Sequence, residues 1–179
     1  MLLVIGALVC LASVPLFGGR LERLAALNVD ATWAVLAAAG IQVGITQIRG
    51  GSHALHVVLY LVSYALVAWF LVANRGLPGM PVIALGAGLN LLVISLNGGV
   101  MPAAASALRI AGIDTSGGFA NSTGVAHPHL LFLGDVIPVP GPWPIGNVLS
   151  VGDLLIFAGA LYLLHRQCRG ELDSSVAPT

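Results

Sequence analysis

The stretch Ala54-Leu55-His56-Val57-Val58-Leu59-Tyr60-Leu61-Val62-Ser63-Tyr64-Ala65-Leu66-Val67-Ala68-Trp69-Phe70-Leu71-Val72-Ala73 decides how this chain is read. It contains no Asp, Glu, Lys or Arg. A helix of about 20 apolar residues matches the roughly 30 Å hydrocarbon core of a bilayer. Working outward, residues 2–17, 31–48, 82–96 and 151–164 form four more apolar segments, separated by Gly, Pro, Asn and Arg. The expected fold is all-α: a polytopic transmembrane helix bundle of about five spans. A transmembrane domain over 1–166 would include a long outer loop, 97–150, between spans four and five, and 167–179 would be a disordered cytoplasmic tail.

Composition points the same way, with 58% hydrophobic and 8% charged residues against about a quarter charged in soluble domains. All seven basic residues are Arg, seven acidic residues balance them, and no charge run could track a phosphate backbone. Nucleic acid is excluded as a partner on that ground. Cys10 lies in the first apolar run and Cys168 in the tail, at opposite faces of the expected bundle, so no disulfide framework is implied. The first run has no basic flank ahead of it; Arg20 and Arg23 follow it, which marks a retained span rather than a secretory leader.

Arginine placement orients the expected bundle. With the N-terminus outside and the C-terminus cytoplasmic, Arg20, Arg23, Arg75, Arg166 and Arg169 fall inside, and Arg49 and Arg109 outside. That predicts a multi-pass protein of a cell membrane. Gly19–Leu27 repeats apolar Leu21, Leu24 and Leu27 beside Arg20, Glu22 and Arg23, as a short interfacial helix or a solvated connector would. In the outer loop Pro102–Ile110 is predicted to form a short helix. Leu130–Pro140 is too short to span and is interrupted by prolines, and Trp143 suits an interfacial anchor. Ser150 and Asp153 have capping-box spacing, which would start the last helix with a carboxylate at its positive dipole end. Asn121-Ser122-Thr123 matches a glycosylation acceptor, a triplet that arises often by chance. The chain has no internal repeat, which disfavours an inverted-repeat transporter.

Polar residues recur on single helical faces: Trp33, Gly40, Gly44 and Gln47; His53, His56, Tyr60 and Tyr64; Gly86, Asn90 and Asn97. Gly40 and Gly44 form a small-xxx-small pair expected to pack against a neighbouring helix. Gln42 and Asn90 sit deep in their segments and should find hydrogen bonds across helices. The expected topology gathers Gln47, His53, His56, Asn90, Asn97, His127, His129, Asp135 and Asp153 toward the outer end, as a candidate polar site roofed by the 97–150 loop. The competing account is that helix ends are polar in any such protein.

Chemistry has little purchase on this sequence. His127-Pro128-His129 with Asp135 offers metal-ligand types, but Pro128 favours an extended backbone that points the two rings apart, so no metal is expected. No serine sits in a nucleophile-elbow turn and no Gly-rich phosphate loop follows a strand. Asp135 and Asp153 each follow a glycine at the edge of an element, a position suited to capping rather than acid–base work.

Asn97-Gly98-Gly99-Val100-Met101-Pro102, and Leu133-Gly134-Asp135-Val136-Ile137-Pro138 continuing through Ser150-Val151-Gly152-Asp153, together with Gly18-Gly19-Arg20-Leu21, resemble a family of small bacterial multi-pass membrane proteins known only as a domain of unknown function. The resemblance runs over nearly the whole chain. It implies a structural signature at Gly98, Gly99, Met101, Pro102, Gly134, Pro138 and Gly152, alongside Asn97, Asp135 and Asp153, and implies no activity or cofactor. Ala103-Ala104-Ala105 departs from the bulkier continuation expected after Pro102. The leading functional expectation is a non-catalytic component, without cofactor, that contacts the lipid bilayer and binds a lipid, a small molecule or a membrane protein partner. An enzyme acting on a lipid-linked substrate and a small transporter or channel subunit are the alternatives.

Overall fold

A computed structural model of the protein describes residues 2–47, 53–113, 127–141 and 146–170. Among these the chain forms α1 (Leu2–Leu16), α2 (Thr32–Gln47), α3 (His53–Ala73), α4 (Met80–Leu96), α5 (Ala105–Ala111), β1 (Asp135–Val139), β2 (Asn147–Ser150) and α6 (Val151–Arg169), with 3₁₀ turns at Leu21–Ala26 and Leu131–Leu133. Two helix pairs dominate the packing, α4 with α6 and α2 with α3, while α3 touches α4 only lightly.

Local sequence sets the helix ends. Gly79 takes φ +87° and Pro81 occupies the first turn of α4, where a missing N–H costs nothing. The Ser150 hydroxyl accepts from the Asp153 amide at 3.0 Å, and the Asp153 carboxylate accepts from the Ser150 amide at 3.0 Å, so the predicted capping box is formed. At the other end of α6, Gly170 is left-handed (φ +78°) and Arg166 and Arg169 complement the negative dipole end. The Cys168 carbonyl there accepts from the Arg20 amide at 2.9 Å and from Arg23 at 3.3 Å. Gln167 donates to the Arg23 carbonyl at 2.7 Å, which straps the 3₁₀ turn onto α6.

Two asparagines join helix ends to distant backbone in the same way. Asn74, just past α3, accepts from the Asp30 amide and donates to the Asp30 and Phe70 carbonyls. Asn97, just past α4, accepts from the His129 amide and donates to the His129 and Val93 carbonyls. Each side-chain amide thus acts as a peptide unit between a helix C-terminus and a second segment.

Part of the expected outer loop folds as a unit: α5 lies on an antiparallel β1–β2 hairpin over a small core of Ala103, Ala107, Leu108, Ala111 and Val148. The short helix exists but begins at Ala105 rather than Pro102. Buried Pro102 instead accepts from the Asp135 amide at 2.9 Å, and the Asp135 carbonyl accepts from Ala104 at 3.0 Å. The Pro-interrupted segment is a strand, and Pro138 is tolerated because a two-stranded sheet has only edge strands. At the C-terminal end, α6 continues through Arg169, beyond the expected end of the last apolar segment.

The five-span fold is overturned. Among the described residues no helix is long and apolar enough to cross a membrane. Helices α1, α2 and α4 have 15, 16 and 17 residues, which at 1.5 Å per residue falls short of a roughly 30 Å core. Helix α6 carries Asp153, His165, Arg166 and Arg169. A polytopic transmembrane bundle, the multi-pass description and a cell-membrane location with the N-terminus outside and the C-terminus cytoplasmic are therefore not supported, and the chain also contains a two-stranded sheet.

Candidate functional site

The α4–α6 contact is an antiparallel crossing in which glycine meets glycine. A Cβ at Gly159 would lie 2.7 Å from the Gly79 carbonyl oxygen, and one at Gly86 would press on the Gly152 carbonyl and lie 3.0 Å from Ile156. Side chains longer than hydrogen would force the helices apart. The close approach brings Asn90 of α4 against the first turn of α6.

There Asn90 Nδ2 donates to Asp153 Oδ1 at 2.9 Å, and Asn90 Oδ1 accepts from the Ser150 hydroxyl at 2.8 Å. With the capping box this closes a circuit: the Ser150 hydroxyl both donates and accepts, and each Asp153 oxygen receives one N–H. The carboxylate accepts only, so the circuit also fixes which way the Asn90 amide points. Buried Ser150 is paired in register with buried Asp135, which places Asp135 beside the same cluster.

A second polar contact joins α2 to α3. Fully buried Ser63 donates to the Tyr60 carbonyl at 2.8 Å and so must accept from Gln42 Nε2 at 2.9 Å. The cross-helix hydrogen bonds expected of Gln42 and Asn90 are thus both present. Between the two helix pairs lies a cavity of about 410 Å³ whose wall includes Gln42, Tyr64, Leu71, Ala84, Asn90 and Ile156. Tyr64 stacks on Tyr60, with centroids 6.2 Å apart and planes at 22°. Burial, and secondarily Tyr60, raise its phenol above the ordinary range, so it remains a hydrogen-bond donor at neutral pH.

The expected outer site is assembled only in part. Asn90, Asp153 and Asp135 come together around Ser150, whereas Asn97 is spent on His129 backbone and the His127 and His129 residues are exposed. Among the described residues no group of His, Cys, Asp and Glu could hold a metal ion. The side chains of Gln47, His53 and His56 lie outside the described residues, as do Arg49, Asn121–Thr123 and Trp143. Gly152 packs under Asn90 and Gly134 against the Pro102 carbonyl, while Gly98 and Gly99 are left-handed (φ +69° and +91°) with open space around them. Gly40 and Gly44 do not pack against a neighbouring helix, since a Cβ at either meets nothing within 4 Å.

A further pair was not anticipated from sequence: the Ser13 hydroxyl lies 2.9 Å from His165 Nε2, with Phe17 edge-on to the imidazole. Ser13 commits its single hydrogen to the Cys10 carbonyl at 2.6 Å, so His165 donates to Ser13 rather than taking its proton. That arrangement joins α1 to α6 and does not activate a nucleophile. Both cysteines are free.

A family model covers residues 26–165. The chain belongs to DUF5317, a family of unknown function. The matched range takes in α2 through most of α6 and leaves Gly18-Gly19-Arg20-Leu21 outside it. An uncharacterized protein of Thermotoga maritima is 32% identical over 121 residues, covering 68% of this chain and 71% of that protein. No solved structure matches.

Proposed function

We propose that this member of DUF5317 is a non-catalytic component that works by binding an apolar small molecule or lipid between its two helix pairs. The observation that carries the reading is the cavity bounded by α2, α3, α4 and α6, about 410 Å³ in volume and within the roughly 300–1,000 Å³ range of ligand sites. Its walls are mainly aliphatic with a few placed polar groups, the usual composition of such sites. Support for a non-catalytic role comes from the Asn90–Ser150–Asp153 circuit, in which both carboxylate oxygens are occupied by protein donors.

Titrating the purified full-length chain with the neutral fluorophore N-phenylnaphthylamine tests the reading. Saturable one-to-one enhancement is expected, with thermal stabilisation approaching about 2.7 kcal/mol when the free probe reaches about 100 times its Kd. Non-saturable partitioning without stabilisation would refute it. Catalysis is tested separately by Asp153→Asn, which removes the charge and keeps one of the two acceptor oxygens at the start of α6. The variant is expected to retain whatever cellular phenotype deletion of the gene removes. Loss of that phenotype at normal abundance would assign chemistry to Asp153.

A further inference from the structure

The polar groups on the cavity wall are unequally committed. The Asn90 amide is used on both sides by Asp153 and Ser150. Gln42 has given one of its two N–H groups to Ser63, which leaves its carbonyl oxygen as an acceptor and its second N–H as a donor. Among the described residues no group bonds the Tyr64 hydroxyl, which neighbours Ser63 along α3. The wall therefore presents the Tyr64 hydroxyl, the Gln42 carbonyl oxygen and the second Gln42 N–H in an aliphatic setting.

Charge narrows the ligand further. Among the described residues the cavity wall contains no Lys, Arg, Asp or Glu, so a charged headgroup would be desolvated there without a counter-ion from them, at a cost that weakens binding. A hydroxyl or carbonyl group asks far less. A ligand hydroxyl can accept from Tyr64 and donate to the Gln42 carbonyl oxygen.

We infer that this cavity is a site for an uncharged amphiphile, an apolar body carrying one hydroxyl group that the Tyr64 hydroxyl and the Gln42 carbonyl read. This rests on the binding function proposed above and assigns its ligand class. Gly88 provides the control: it lies on the cavity wall, and a Cβ there meets nothing within 4 Å. Gly88→Leu fills the space while raising the helix propensity of α4, so the fold is kept as binding is lost.

The experiment displaces N-phenylnaphthylamine from the full-length chain with dodecanol, dodecane and dodecanoate at neutral pH. Dodecanol is expected to bind about tenfold or more tightly than either of the others. Tyr64→Phe should weaken dodecanol about five- to tenfold and leave the fluorophore and dodecane unchanged. Gly88→Leu should abolish fluorophore binding without lowering the melting temperature. Equal affinities for the three competitors, or a Tyr64→Phe variant that binds dodecanol like the wild type, would overturn the ligand class while Gly88-sensitive fluorophore binding upheld the binding function. Fluorophore binding that Gly88→Leu leaves intact would place the ligand elsewhere and overturn the inference. No saturable fluorophore binding at all would overturn both readings.

Discussion

The α4–α6 and α2–α3 pairs are both built from helices rich in small residues, yet they use their glycines in opposite ways. In α4–α6, Gly79, Gly86, Gly152 and Gly159 each sit against the backbone of the partner helix. In α2–α3 it is Ala34, Ala38, Ile45 and Ser63 that are buried, and Gly40 and Gly44 face open space. Spacing alone does not separate the two cases, since Gly40 and Gly44 have the four-residue interval associated with close helix packing. What separates them is the partner: a glycine becomes necessary only where another backbone arrives on its face.

The comparison is broken most directly at Gly152, where a Cβ would collide with the Asn90 side chain and the Gly86 carbonyl. Gly152→Val both overpacks the crossing and disrupts the Asn90–Asp153 bond, and a cost of about 3–5 kcal/mol is expected. For a chain of this size that lowers the melting temperature by about 10 °C. Calorimetry or thermal-shift measurement of the variant checks it. A decrease no larger than that of a surface substitution would mean the helices separate easily, and the contact described here would not hold them.

Removing the polar end of the same pair should cost less. Asn90→Ala deprives Asp153 Oδ1 of its donor and the Ser150 hydroxyl of its acceptor, while the Ser150–Asp153 capping box is left in place. Hydrogen bonds to an ionised carboxylate are the stronger kind, so a loss of about 2 kcal/mol is expected. A double-mutant cycle with Asp153→Ala sharpens the point. The two losses should fall short of additivity, because either substitution breaks the same bond. Strict additivity would mean that Asn90 and Asp153 do not act on each other.

What was legible in the sequence follows the distance over which each feature is decided. The capping box at Ser150 and Asp153 is a three-residue pattern and was read correctly. A short helix after Pro102 was also read, with its start displaced because Pro102 is held by Asp135. The deep amides of Gln42 and Asn90 announced cross-helix bonds, since an amide in an apolar run needs a partner, although not which partner. The β-hairpin was hidden because its pairing joins Asp135 to Ser150 across a Pro- and Gly-rich segment whose composition argues for irregular structure. The Asn74–Asp30 and Asn97–His129 links are likewise fixed by chain segments that meet only in the fold. Membership of DUF5317 attaches no chemistry to these positions, so the candidate site had to be found from geometry.

The smallest effect should appear at Gly40, and its sign is what matters. The residue lies inside α2, exposed, and nothing stands within 4 Å of a Cβ placed on it. Alanine there gives up no packing and restricts the unfolded chain, so Gly40→Ala is expected to stabilise the protein by about 1 kcal/mol, raising the melting temperature by about 2–4 °C. Gly44→Ala should act in the same direction. Alanine at Gly152 is expected to destabilise, so one substitution chemistry gives opposite signs in the two helix pairs. If Gly40→Ala instead lowered the melting temperature, a second backbone would have to approach α2 on that face, and the contrast between the pairs would disappear.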